Sequence, residues 1–466
     1  MQRSLATLAI SGALAALVPG TLAAQGFSVN EHGSCSMARG GTGVASACAD
    51  GSAVNFNPSG IAGTTGMTLG LGVTAIQALG SFTDDYSGVE DDLQNDPIPV
   101  PHAYFVYSVN EKLAAGFGFF VPYGLGTVWE TTFEGRFNGY DNNLQSMYFQ
   151  PTLAYQPLKG IRIGAGFDFV LASLKLTQRV DLSEQPAPAP APAGTTLAQL
   201  GVAFHTDFAN AALEAGGATG FGGNFGITLQ PTDWFSLGAR YLTRVALDYE
   251  GTADFEAVST GIILPGNNPI GMPAGTPLDA LVAASHAFDP DSTLGDQAVT
   301  TSITMPDQAT AGIAIDVSPS LMLLADWQWM NWSVFDVLSI TFENQDEPKE
   351  VRENYKDTHA IRVGFDWSGG GKLSLRGGYL YHKGAAPPQT VTPLLPEGER
   401  NEFTGGIGYR ITEQLTLDAA YQYIKQNDRR GRVREPLGGA APTVALNSGL
   451  YKFYAHLVGV TLSVHF

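Results

Sequence analysis

The chain has 466 residues, a formal net charge of −19 and only 15% charged side chains. An acidic chain without basic patches is a poor partner for nucleic acid, which excludes that class of function. It is rich in glycine and aromatics (56 Gly, 25 Phe, 17 Tyr, 6 Trp) yet lacks the run of ~20 apolar residues that a membrane helix needs, so the composition suits strands whose apolar and polar faces average out.

In chain order, the first element is a leader. Arg3 supplies a positive start, Leu5 to Val18 is apolar, and Thr21 to Ala24 offers small residues for cleavage. Residues 1–24 therefore read as a secretory signal. Cys35 lacks an apolar lipobox, so no lipidation is expected. Residues 25–66 are Gly-rich and precede the first strand; their Cys35 and Cys48 are the only cysteines, and in the oxidising periplasm a disulfide is expected. By the chain-entropy argument, such a loop gains on the order of 3 kcal/mol.

From Met67 onward, fourteen segments alternate apolar and polar or small residues, the signature of a strand with two different faces. They are Met67–Ile76, Val100–Val109, Leu113–Val121, Met147–Tyr155, Ile161–Leu171, Phe221–Leu229, Phe235–Leu247, Ala309–Val317, Leu321–Trp329, His359–Trp367, Leu373–Tyr381, Phe403–Tyr409, Leu415–Tyr423 and the C-terminal Val458–Phe466. Short turns such as Asn110 to Lys112 and Ser318 to Ser320 alternate with long connections such as 172–220 and 248–308. That alternation is the topology of an all-β, transmembrane antiparallel β-barrel of about 14 strands, with short periplasmic turns and long outer loops. A soluble propeller would not alternate its loops so. On these registers Leu113, Ala115, Phe117, Phe119 and Val121 share the lipid face, while Arg162, Asp168, Arg240, Arg244, Asp326, Arg362, Asp366, Arg376, Arg410 and Asp418 face the lumen. Those charges are expected to pair with one another or with a plug.

The segment before the strands carries a resemblance. Gln25-Gly26-Phe27-Ser28-Val29, Ala38-Arg39-Gly40-Gly41-Thr42-Gly43 and Asn55-Phe56-Asn57-Pro58-Ser59-Gly60, followed by Pro101-His102-Ala103-Tyr104, Pro122-Tyr123-Gly124-Leu125 and Asp326-Trp327, resemble in order the FadL family of outer-membrane transporters of long-chain fatty acids and other hydrophobic compounds. Ser59 departs from the commoner Ala. The resemblance implies a fourteen-strand barrel whose lumen is plugged by an N-terminal hatch, here 25–66 with Asn57 and Pro58 in it; separately, the alternating last strand ends on Phe466, which resembles the terminal signal read by the barrel-assembly machinery.

It also implies a route. Substrate would land on outer loops, for which Leu197, Leu200, Phe204 and Phe208, spaced for one helical face, and Leu278, Leu281 and Val282, on a helix begun by Pro277, are candidates. The same stripes could instead pack on each other. Phe27 and Val29 would help close an inner apolar pocket, and Pro122, Tyr123 and Gly124 would flank a sideways exit after the third strand. A proline there is equally a plain strand terminator.

Other chemistry is not expected. No His/Cys/carboxylate cluster has metal-ligand spacing, no Gly-x-Ser-x-Gly occurs, and His205 and His286 have no triad partners, so neither metal, cofactor nor catalysis is implied. The expected partners are hydrophobic small molecules, outer-membrane lipid and lipopolysaccharide, and the chain is expected to act as a monomer. A general diffusion porin is the rival reading, and residues 25–66 separate the two: a porin needs no plug before its first strand.

Overall fold

The computed structural model describes residues 27–431 and 448–466, apart from 86, 186, 188–194, 267 and 269–271. The expected signal segment 1–24 lies outside the described residues, as does most of the Pro186 to Pro192 run.

Fourteen strands close into one antiparallel sheet among the described residues. Ten are continuous: β1 (Met67–Asp84), β2 (Ile98–Ser108), β3 (Leu113–Val128), β4 (Asp141–Leu158), β5 (Ile161–Val180), β6 (Ala209–Thr232), β11 (Leu373–His382), β12 (Arg400–Arg410), β13 (Leu415–Gln426) and β14 (Gly449–His465). Four are broken: β7 into Phe235–Leu242 and Val245–Ala257, β8 into Gln297–Met305 and Gln308–Ser318, β9 into Leu321–Met330 and Val337–Phe342, and β10 into Lys349–Arg352 and Thr358–Ser368. Each strand pairs with the next in sequence, and β14 closes on β1 from Thr68↔His465 to Asp84↔Gly449. Every one of the fourteen segments expected from alternation falls on one of these strands.

The strands run longer than the alternation indicated. A span needs ~9–11 residues, whereas β5 has 20 and β6 has 24. β6 outlasts its expected segment because an irregularity at Gly216–Gly217, with Gly217 at φ 74°, shifts the register against β5 and swaps the two faces. A reading based on strict alternation stops where the faces swap.

The solvent is inverted. Leu71, Val73, Phe105, Phe117, Leu153, Phe167 and Phe221 stand exposed on the outer wall, while Thr74, His102, Gln150, Asp168, Asn224, Arg240, Asp326 and Arg362 are buried inside. Two residues correct the expected register. Arg244 is exposed and pairs with Asp307 (3.4 Å), because the break between Leu242 and Val245 turns it out of the lumen. Val121 is buried instead of facing lipid, because β3 bulges between Phe120 and Tyr123.

Because the outer face meets hydrocarbon, Phe167→Arg, six residues from the short turn before β5, is expected to destabilise the inserted barrel by about 2–4 kcal/mol. Urea unfolding in lipid bilayers measures this.

Candidate functional site

Residues 27–66 include two short helices, α1 (Ser34–Ala38) and α2 (Ala53–Phe56), and a 3₁₀ turn, Pro58–Ile61, and most residues from Phe27 to Ala62 are buried. Such short pieces have no cooperative stability of their own, so the wall must hold them. Cys35 and Cys48 are bonded, with Cα atoms 6.2 Å apart. The Gly43 and Val44 amides donate to Asp326 (3.0 and 3.3 Å), Arg362 donates to the Gly41 carbonyl and to Asn30 Oδ1 (2.9 Å), and Arg240 donates to Asn55 Oδ1 (3.3 Å). Asn57 donates to the carbonyls of Val44 (2.6 Å) and Ile227 (3.1 Å), and its own Oδ1 accepts from Ser59 on the far side of Pro58. Arg376 joins Asp366 and Asp418 across three strands. Most of the lumen charge is thus tied to the wall or to the inner segment.

Sequence reasoning missed what lets this segment sit so close. A Cβ on Gly70, Gly226, Gly238 or Gly364 would overlap Asp50 O, Asn57 Oδ1, Val44 O or Arg39 O, respectively. The signal was there: a glycine on the lumen face of a strand marks close approach of another backbone.

Phe27 and Val29 lead from this segment to β3. The Val29 amide donates to Pro122 O (2.8 Å) and the Gly124 amide to Phe27 O (3.0 Å), so Ser28 bridges Tyr123 as a short extra strand at the bulge. The Phe27 ring packs edge-on against Trp332 (4.7 Å between centroids), Phe335 (5.6 Å) and Tyr123 (6.4 Å), the geometry that aromatic quadrupoles favour. Tyr123 donates to Pro306 O (2.6 Å) and accepts from Gln308 (2.7 Å), which ties β3 to β8 across the lumen.

Beside Phe27 and Val29 is a cavity of about 420 Å³, within the ~300–1,000 Å³ range of ligand sites. Its walls are mainly apolar, with Val100, Leu125 and Leu457 among them, and Glu31, Arg400 and Glu402 stand at its polar side. It borders residues of both faces of the barrel: Ala78 and Leu457 belong to the lumen face, Phe119 and Met147 to the outer face. This is possible because β2 and β3 pair only from Ala103↔Phe119 to Ser108↔Ala114, leaving residues 98–102 of β2 without a partner on β3. Of the sequence candidates, Phe27, Val29 and Gly124 line the cavity; Pro122 and Tyr123 form the bulge beside it; Asn57 and Pro58 sit apart, against β5 and β6.

The loop candidates come together elsewhere. Leu197, Leu200, Phe208 and Leu278 are buried on one another with Val202, and Val282 packs against them; Leu281 is also buried, while Phe204 lies outside the cluster. The stretch from Leu197 to Phe208 is not the expected helix, since its single 3₁₀ turn, Ala198–Leu200, ends at Gly201 with φ 91°. The other helix is present as α3 (Leu278–Ala284).

A closed antiparallel barrel with an apolar outer face and a polar inner one is the architecture of an outer-membrane β-barrel. The sequence profile of the family described as outer membrane protein transport protein (OMPP1/FadL/TodX) matches residues 15–466, and the chain belongs to this family. Relatives include the long-chain fatty acid transport protein of Escherichia coli K12, 22% identical over 463 residues (97% of this chain, 96% of the relative), and outer membrane protein P1 of Haemophilus influenzae, 22% identical over 377 residues (79% and 75%). Among solved structures, a FadL homologue of Pseudomonas aeruginosa aligns with a TM-score of 0.76 at 18% identity (95% of this chain, 100% of that one), and the toluene transporter TodX of Pseudomonas putida with 0.68 at 21% (95% and 100%). These likenesses establish the fold. The protein is therefore an outer-membrane β-barrel of a family of transporters of hydrophobic compounds.

Two ionisable groups lie next to Val29. Burial, and then the neighbouring Glu402, push the Glu31 carboxyl up; it accepts from the Asn30 amide (2.8 Å) and Gln422 (2.9 Å). His32 is pushed down to about 3, mainly by burial and then by His102, and its Nε2 donates to Val29 O (2.9 Å). A depressed histidine contributes stability above the ordinary value of 6.5, and that contribution is lost as pH falls from 6.5 toward 3. At pH 5 the loss is about 2 kcal/mol. The melting temperature in detergent should therefore fall between pH 7.5 and pH 5, and fall less in His32→Gln.

Proposed function

We propose that this barrel takes up hydrophobic molecules, long-chain fatty acids in the first place, by passive passage through the cavity beside Phe27 and Val29 and lateral release into the outer membrane. The cavity that borders both faces of the wall carries this reading. A molecule leaving an apolar pocket for water would lose roughly 25 cal/mol for each Å² re-exposed; one leaving sideways into acyl chains loses almost none of it. In this reading residues 1–24 are the cleaved signal, 25–66 form a hatch that plugs the lumen, and 67–466 form the barrel. The monomer meets lipid and lipopolysaccharide around its wall, and Phe466 is read by the assembly machinery. Substrate first meets the outer loops, where the cluster of Leu197, Leu200, Phe208 and Leu278 must part, or Phe204 beside it must serve, for a groove to form.

A hydrocarbon substrate is the second reading. It draws on Glu31 and Glu402 beside Arg400 at the polar side of the cavity: two acids against one base favour an uncharged cargo over a carboxylate. Competition between oleate and toluene for the purified protein, followed by quenching of tryptophan fluorescence, separates the two.

If the hatch plugs the lumen, planar-bilayer recordings should give little conductance for the intact protein and a rise once residues 27–66 are deleted. Large open-channel currents from intact protein would favour a general diffusion porin.

A further inference from the structure

The unpaired edge of β2 is proline-rich: Ile98-Pro99-Val100-Pro101. Hydrogen bonds at the end of this strand establish which way its backbone points. The Ser108 amide donates to Gly66 O (2.9 Å), just ahead of β1, and the Val109 amide donates to Leu113 O (2.9 Å), at the start of β3. Successive residues of a strand aim their N–H and C=O at opposite neighbours. The register against β1 runs without a shift from Ile76↔Ile98 to Met67↔Tyr107. Even-numbered amides therefore point to β1, and odd-numbered ones to β3. Positions 99 and 101 are odd, and both are proline. The edge facing the gap has no donor at either.

The opposite edge is occupied. On β3, Pro122 O and the Gly124 amide bond to Val29 and Phe27, and further along Asn95 donates to Gly126 O (2.7 Å) and accepts from the Val128 amide (2.7 Å). Asn95 precedes β2, so one side chain does there what a paired strand would do. An N–H left unpaired in hydrocarbon is strongly unfavourable, and a proline has none to leave unpaired.

We propose that Pro99 and Pro101 hold the barrel wall open, by removing the two donors with which β2 would displace Phe27 and Val29 from the β3 edge and zip onto it, and so set the exit of a hydrophobic cargo. This rests on the lateral-release reading above and assigns it to particular residues.

The test replaces both prolines, Pro99→Val with Pro101→Val, and reads two quantities in protein whose heat-modifiable mobility is normal: hydrogen exchange of the new amides at 99 and 101, and oleate uptake by cells lacking another transporter. Slow exchange together with a fall in uptake on the order of tenfold, the effect of two added ladder bonds, supports the proposal. Free exchange overturns it whatever the uptake, because the wall has not zipped; slow exchange with uptake within about twofold of the parent overturns the role in exit. If the double variant does not fold, Pro101→Val alone is read in the same way. A separate arm joins Val100→Cys to Leu125→Cys with a short bis-maleimide. Undiminished uptake in that cross-linked barrel ends the lateral-release reading itself, whereas lost uptake there with an inert proline variant leaves that reading standing and removes only the prolines.

Discussion

In hydrocarbon, every backbone N–H and C=O must find a partner within the protein. This constraint closes β14 onto β1 over the whole length from Thr68 to Asp84 and sends the apolar side chains outward. It also makes any interruption of the wall expensive. The gap between β2 and β3 is bordered accordingly: prolines remove donors on one edge, while Phe27, Val29 and Asn95 satisfy the other.

The inward face follows from the same inversion. Side chains that cannot face lipid fill the lumen with Asp326, Arg362, Arg240 and Arg376, and burying them is tolerable only because each is paired or hydrogen-bonded. The inner segment supplies many of those partners with its backbone, and the lumen-facing glycines let that backbone come close. A large, mainly apolar cavity lies where Phe27 and Val29 meet the β3 bulge, bordered by residues of both faces of the barrel. Its position makes the N-terminal residues part of its wall.

How much of this was legible depends on which rule each element obeys. The strands obey alternation, so segments such as Ile161–Leu171 and the terminal Val458–Phe466 could be read directly. The breaks in β7 to β10 could not, because intact alternation resumes on either side of Thr243–Arg244 and Pro306–Asp307. Phe27, Val29 and Gly124 were found through the family resemblance, not through chemistry, and all three line the cavity. Pro99 carried an unread signal, since its meaning depends on which neighbour its missing N–H would have faced. Leu197 to Phe208 carried a misleading one: helical spacing suggested a helix, but Gly201 ends the turn and tertiary contacts with Leu278 assemble the cluster instead.

Uptake by the proposed route requires that the cavity beside Phe27 and Val29 hold a hydrophobic molecule. Native mass spectrometry of protein released gently from the membrane addresses it directly. The account predicts a retained apolar small molecule in the parent and its loss in Val29→Arg, which puts a charge against the cavity wall while the barrel stays folded. An adduct that persists unchanged in Val29→Arg, or a parent protein that carries none even after incubation with oleate or toluene, would contradict it.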